Sequence, residues 1–414
     1  MGITKAEALK AVDRERGPVC EASDRIWDQP ETAFQEFHST DVLCELLEKE
    51  GFRVERNLAG IATAFSGTYG SGKPVVGILG EFDALSGLSQ ESESLEKTAL
   101  VDGAPGHGCG HNLLGTGSVA AAIAVKEYLE KNGKEGTVIF FGCPGEEGGS
   151  GKSFMARDGV FDQLDFAVTW HPGDKNLVSV GSSLANYQII YRFYGQASHA
   201  AACPELGRSA LDALILAFQG IEFLREHVNS DVKIHYTVVN CGGTPANVVP
   251  AYAEASVYVR SYNRAYLDTV CRRFEKVLKG AAMMTETEVE IIEEKKVDNK
   301  IPVLTLNDLV MKQAEEIHAP QIAPAREKTG STDFGNVMRR VPGTCARIAF
   351  VAPGAAAHSQ EYIEAGKTEA AHDAVIYGAK ILAGTALELI EDPELLKQAK
   401  EEFRKNLAKE NSEV

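Results

Sequence analysis

Pro105-Gly106-His107-Gly108-Cys109-Gly110-His111-Asn112 puts a thiol and an imidazole two residues apart, with another imidazole just before them. The glycines let the backbone fold tightly and aim the donors at one point. Cysteine and histidine are ligands for divalent first-row metals. Alone, the run reads equally as a metal site or as a chance cluster in a loop. Its neighbours decide the fold. Upstream, Pro74–Leu79 is a short apolar run suited to a buried strand, ending in Gly80-Glu81-Phe82-Asp83-Ala84-Leu85. A long polar loop, 86–104, of the kind that is usually functional, joins it to the cluster. Downstream, Leu113–Lys131 reads as a small-residue helix closed by Asn132-Gly133.

Further out, the pattern recurs. Thr137–Gly142 is a buried-strand candidate that ends in Cys143-Pro144-Gly145-Glu146-Glu147. Phe166–Trp170 ends in His171-Pro172, and Thr344–Val351 ends in Pro353-Gly354-Ala355-Ala356-Ala357-His358. In open α/β sheets the site lies outside the carboxyl ends of the strands. Helices fill residues 5–50, and Phe52–Arg56 and Ile61–Ser66 read as further strands. A helix over 366–388 and a charged tail close the chain. Between residues 182 and 298 the order changes to β-α-β-β-α-β, which describes a ferredoxin-like insertion.

With 414 residues, two domains are expected. Lys+Arg of 42 against Asp+Glu of 59 gives a net charge of −17, which argues against nucleic acid or an anionic membrane surface as partner. No apolar run approaches the ~20 residues needed to span a bilayer. The eight cysteines are scattered, unlike those of a small disulfide scaffold, so a reduced, cytoplasmic protein is expected.

The donors available at the strand ends are Cys109, His111, Glu147, His171 and His358, with Glu81 and Asp83 beside them. Two ions about 3.5–4 Å apart can clamp a hydrolytic transition state from both sides. Adjacent acids at Glu146-Glu147 suit a division of labour, one binding metal and the other taking a proton from water. Each motif has a bland reading alone, as a solvated pair, a turn or a surface loop. Their coincidence at successive strand ends favours a metallohydrolase over any other single reading.

These runs, in this order and spacing, resemble the dinuclear-metal aminoacylase/carboxypeptidase amidohydrolases. So do Gly195-Gln196-Ala197-Ser198-His199-Ala200-Ala201 and Ala246-Asn247-Val248-Val249-Pro250 in the insertion. The resemblance spans about residues 20–385. Gly110-His111-Asn112 and Gly330-Ser331-Thr332-Asp333-Phe334-Gly335 are similar to the branch holding the p-aminobenzoyl-glutamate hydrolase B-subunit and related dipeptidases. The resemblance implies a mixed-sheet α/β/α metallohydrolase domain, residues 1–181 and 299–414, with an inserted ferredoxin-like (α+β) lid and dimerisation domain, 182–298. It implies two divalent ions per chain, Mn2+ or Zn2+, with Cys109 bridging and His111, Glu147, His171 and His358 as the other ligands. Glu146 would be the general base and Asp83 would orient a ligand histidine. His199 would reach the reacting carbonyl, Asn247 would hold substrate, and Arg260 would clamp a substrate carboxylate. Asn112 and Glu81 depart from the acid and the Asp or His usual at those positions.

The function implied is hydrolysis of the amide in N-acyl or aminobenzoyl amino acids. The alternatives are a dipeptidase and a non-catalytic metal-binding subunit of a hetero-oligomer. The implied partners are a small amide substrate and either a second copy, through the lid, or a paralogous subunit.

Overall fold

The computed structural model describes residues 2–89, 99, 101–327 and 329–412; residues 90–98 and 100, within the polar loop 86–104, lie outside them. The chain divides into two compact units. The first comprises the chain up to Ser182, Lys300–Thr329 and Asn336–Leu407; the second comprises Ser183–Asn299, Gly330–Gly335 and the chain from Ala408. The sequence places 330–335 and the tail with the first domain.

Ten strands are found among the described residues: β1 (Arg53–Arg56), β2 (Phe65–Ser71), β3 (Val75–Gly80), β4 (Gly136–Gly142), β5 (Phe166–Gly173), β6 (Ala185–Tyr194), β7 (Lys233–Asn240), β8 (Tyr252–Ser261), β9 (Glu288–Val297) and β10 (Gly343–Ala349). The first unit holds a six-stranded sheet in the order β1-β2-β4-β3-β5-β10. β4, β3, β5 and β10 run parallel, while β1 and β2 are antiparallel additions. The parallel strands are apolar throughout because helices cover both faces of such a sheet; β4 is buried along its whole length.

The small-residue helix, His111–Asn132, lies close enough to the sheet to need its glycines. A Cβ on Gly117 would come 2.9 Å from the Trp170 ring, and one on Gly378, in the helix Glu369–Glu391, would come 2.8 Å from it. Trp170 is fully buried between them, and its indole N–H donates to the Leu114 carbonyl at 3.2 Å. The wide aromatic is thus matched by missing side chains on two helices.

One expected strand begins later than its sequence suggests and runs on to Ser71. Ile61–Ala64 is a turn, with the Leu58 N–H donating to the Ala64 carbonyl and the Ala64 N–H to that of Ile61. Asn57 and Gly60 take positive φ there, so β2 begins only at Phe65, opposite Gly142 of β4.

The second unit carries an antiparallel sheet in the order β7-β8-β6-β9, with helices Ala210–Arg225 and Arg264–Thr285 between its strands. That is the ferredoxin-like order expected. Alternate residues of β8, Ala253, Ala255, Val257 and Val259, point into its core with Tyr191, Phe193 and Phe274. β9 runs ten residues, longer than the short strand read around Val289 and Ile291. No described helix is long and apolar enough to cross a membrane.

Candidate metal centre

Parallel strands that end along one edge deliver their following residues to one place. Glu81 and Asp83 follow β3, Glu146 and Glu147 follow β4, His171 lies within β5, and His358 follows β10. Cys109 and His111 arrive at the start of the helix that follows β3. Gly110, between them, has φ 76°, and a Cβ there would meet Pro172 at 2.9 Å. That turn requires glycine, which is the physical reason for the Cys-Gly-His spacing.

Three donor groups form among the described residues, and Cys109 belongs to two of them. An inner one joins Cys109, His111 and His171; an outer one joins Cys109, Glu147 and His358. The Cys109 sulfur lies 3.5 Å from His171 Nε2. His111 Nδ1 lies 3.0 Å from Asp83 Oδ1, and His171 Nδ1 lies 2.7 Å from the Pro172 carbonyl oxygen. A carbonyl or carboxylate only accepts, so Nδ1 donates in both rings and each Nε2 is directed to the centre. In the outer group, His358 Nε2 lies 3.0 Å from Glu147 Oε1. The Glu147 backbone N–H donates to the other oxygen of Asp83 at 2.7 Å, and the His358 N–H donates to the Gly108 carbonyl at 2.8 Å. Asp83 therefore touches both groups. Its single carboxylate links the inner histidine to the outer acid's loop.

The electrostatics follow the packing. Burial opposes charge on His111, but the Cys109 sulfur and Asp83 outweigh it and hold the imidazole well above its ordinary value. Burial, with the neighbouring Arg347 and His111, holds His171 well below its own. Hydrogen bonds to Cys109 and Glu147 raise His358 to about 10. Burial would raise Glu147, yet His358 and His111 bring it below the usual carboxylate range. Buried His111 Nε2 and Glu81 Oε2 have no hydrogen-bond partner among the described residues. The two face each other at 3.2 Å, and such a buried pair of ligand atoms beside a thiol and further imidazoles fits a divalent ion.

Glu146, half-buried, groups with Glu81 and His111 rather than with Glu147. This is the separation of neighbouring acids the sequence suggests. His107 is turned away: its ring donates to the Ile26 carbonyl at 3.1 Å, and burial lowers it to about 3. Asn112 packs inward, its amide donating to Ser23 and to the Gly366 carbonyl.

The three remaining candidates lie in the second unit. His199 is exposed, and its Nδ1 accepts from the backbone N–H of Ala201 and Ala202 at 3.2 Å each. Asn247 is beside it, its carbonyl accepting from Ala200 N–H at 2.9 Å. Arg260 is half-buried and stacks on Tyr258, 4.9 Å from the ring centre.

Sequence reasoning missed two buried residues near the centre. Lys152 is fully buried and pairs with Glu81 at 2.8 Å. Glu36 accepts from the Gly145 backbone N–H at 2.8 Å and from the Thr63 hydroxyl at 2.9 Å, so it tethers the loop that carries both acids. Neither has a local sequence signal. A lysine early in a helix and a glutamate before one look like ordinary surface residues.

Such a donor set at the carboxyl edge of an α/β sheet, with a ferredoxin-like insertion, is the layout of a metal-dependent hydrolase. The chain belongs to Peptidase family M20/M25/M40, whose description matches residues 77–388. Members of this family are metal-dependent hydrolases. The chain is 38% identical to the p-aminobenzoyl-glutamate hydrolase B-subunit of Escherichia coli (strain K12), over 95% of this chain and 93% of that protein. It is 31% identical to the Xaa-Arg dipeptidase of Mus musculus, over 99% and 94%. A solved dinuclear metal binding peptidase from the M20 family of Bacillus subtilis shares the fold, with a TM-score of 0.64 and 21% identity over 91% of this chain and 99% of that one.

Proposed function

We propose that this chain hydrolyses the amide bond of N-acyl or aminobenzoyl amino acids, p-aminobenzoyl-glutamate-like in shape, with two divalent ions, Mn2+ or Zn2+. The observation that carries this reading is the pair of donor groups sharing Cys109, with Glu146 within reach of the inner one. Residues 1–181 and 299–414 would supply the catalytic machinery, and 182–298 the lid and dimer contact.

When bound, two such ions acidify water and polarise the carbonyl under attack. The chain does the rest. Glu146 takes the proton of the attacking water and returns it to the leaving amine nitrogen. Asp83 fixes His111 in the tautomer that presents Nε2. Cys109 would serve both ions as the shared ligand, and His111, His171, Glu147 and His358 would be the others. His199 would reach the tetrahedral intermediate, so its substitution should lower kcat, whereas Asn247 and Arg260 would hold the substrate, and their substitution should raise KM more than it lowers kcat.

A dipeptidase is the second reading, supported by the likeness to Xaa-Arg dipeptidase over nearly the whole chain. The relative's name as one part of a hydrolase supports a paralogous partner as the alternative to a homodimer, and with it a non-catalytic role for this chain. The composition supports a cytoplasmic location. Dialysis against chelator, then addition of Mn2+ or Zn2+ and assay of N-acyl amino acids, p-aminobenzoyl-glutamate and dipeptides, separates these readings. Two ions per chain with restored acyl-amino-acid hydrolysis is expected. Turnover of dipeptides alone would replace the first reading with the second, and uptake without turnover on any of them would favour the non-catalytic one.

A further inference from the structure

We propose that Arg347 is a specificity-determining residue that pairs with a carboxylate of the substrate, so that the amide cleaved belongs to an anionic acyl amino acid; this rests on the hydrolase reading above. Arg347 is half-buried on β10, the last strand of the six-stranded sheet. β10 runs parallel to β5, and Arg347 stands opposite His171 in that register. Partners in such a ladder direct their side chains to one face, and the residues next to them point to the other. Ala346 and Ile348 pack in the core, while His171 turns its Nε2 to the Cys109 sulfur. Arg347 therefore shares the face that carries the donors. Its guanidinium runs toward the carboxyl end of β5, where Nη1 stands 3.6 Å from the place a Cβ on Gly173 would take.

Two cations of this unit have their carboxylates: Lys152 meets Glu81 at 2.8 Å, and Arg326 meets Asp174 at 3.2 Å. The Arg347 guanidinium has no hydrogen bond or ion pair among the described residues. Only its backbone is engaged, the N–H donating to the Leu177 carbonyl at 2.8 Å and the carbonyl accepting from the Leu177 N–H at 3.1 Å. An arginine is always charged, and holding one half-buried without an anion costs free energy. Its charge reaches both His171 and Tyr362, so a divalent ion at the inner donor group would repel it. A carboxylate seated at the guanidinium's planar fork removes both penalties. An N-acyl amino acid brings one carboxylate at its α-carbon, and an acidic side chain brings a second. The fork is presented by a strand held on both edges, which fixes where that carboxylate sits. An arginine with a solely structural role predicts lower stability on substitution but the same preference among substrates.

The experiment uses the full, metal-loaded chain and its Arg347→Met, Arg347→Gln and Arg347→Lys variants. Three substrates are compared: N-benzoyl-glutamate, N-benzoyl-glutamine, which lacks the side-chain carboxylate, and the α-amide of N-benzoyl-glutamate, which lacks the other. Wild type should prefer N-benzoyl-glutamate over at least one of the two amides by about 10–100-fold in kcat/KM. Arg347→Met should level one such ratio to within about threefold, through KM rather than kcat, and keep both ions within about twofold in affinity. Which ratio falls tells the side-chain carboxylate from the α-carboxylate. Arg347→Lys, which keeps the charge but not the fork, should retain part of the preference. Should Arg347→Met not fold, Arg347→Gln decides on the same criterion. A wild type indifferent to both carboxylates overturns the assignment, as do unchanged ratios in the variants or an equal fall on all three substrates. A wild-type chain that cleaves none of the three overturns the acyl-amino-acid reading itself, a different result from any of these.

Discussion

The inner and outer donor groups share one sulfur and differ in almost everything else. The His111 side chain is wholly buried, on the first turn of a core helix, whereas the His358 side chain is 50% exposed and sits on a loop at φ 64°. The inner histidines are oriented by Asp83 and by a strand carbonyl. The outer group is held from behind its loops. Asp83 takes the Glu147 N–H, Glu36 takes the Gly145 N–H, and Asp174 takes the Gly354 N–H at 2.9 Å. One group is set by packed elements, the other by backbone tethers. A site can be preorganised either way, but tethers on exposed loops are the easier to loosen.

The strongest attack on that contrast is at the shared atom. Cys109→Ala should abolish binding of both ions and reduce turnover to background; one ion retained at wild-type affinity by metal analysis would show the groups to be independent. Glu146→Ala should lower kcat by about 10²–10⁴ while both ions and the melting temperature stay put. Full activity in that variant would remove Glu146 from the chemistry.

Asp83→Asn tests the link between the groups. Both ions should weaken by about 10–100-fold, because the amide presents the wrong hydrogen-bonding partner to His111 or to Glu147 N–H. Weakening confined to the inner ion would mean the Glu147 tether contributes nothing.

The smallest effect concerns the outer tether. Burial, with the charge of Asp83, raises Glu36 from 4.5 to about 7. Between those values the unfolded chain has released this proton and the folded chain still holds it, so stability falls as pH rises through the window. The loss is at most about 3 kcal/mol. Glu36→Gln should lack that slope in urea unfolding at pH 4.5 and 7.5. An identical slope in both proteins would mean Glu36 is ionised throughout.

Much of this centre was legible in one dimension. Glu147, His171 and His358 each follow an apolar run, Cys109 and His111 open the helix after another, and parallel strands between helices bring such ends to one edge. The insertion was legible for a similar reason. Alternation along β8 and the apolar stripe of Arg264–Thr285 declare strand and helix without help from the rest of the chain. Ile61–Ala64 was misread because a short apolar run says nothing of the positive-φ residues that bend it.

Donor types, the places of most strands along the chain and the glycines that permit tight turns were determined by the sequence alone, because hydrophobic period and backbone freedom are local properties. Only the tertiary structure decided which oxygen of Asp83 meets which partner. It also grouped Glu146 with Glu81 and His111 rather than with Glu147, and buried Lys152 against Glu81. Those pairings join residues from separate strand ends, and their geometry depends on how whole elements pack, which no local pattern encodes.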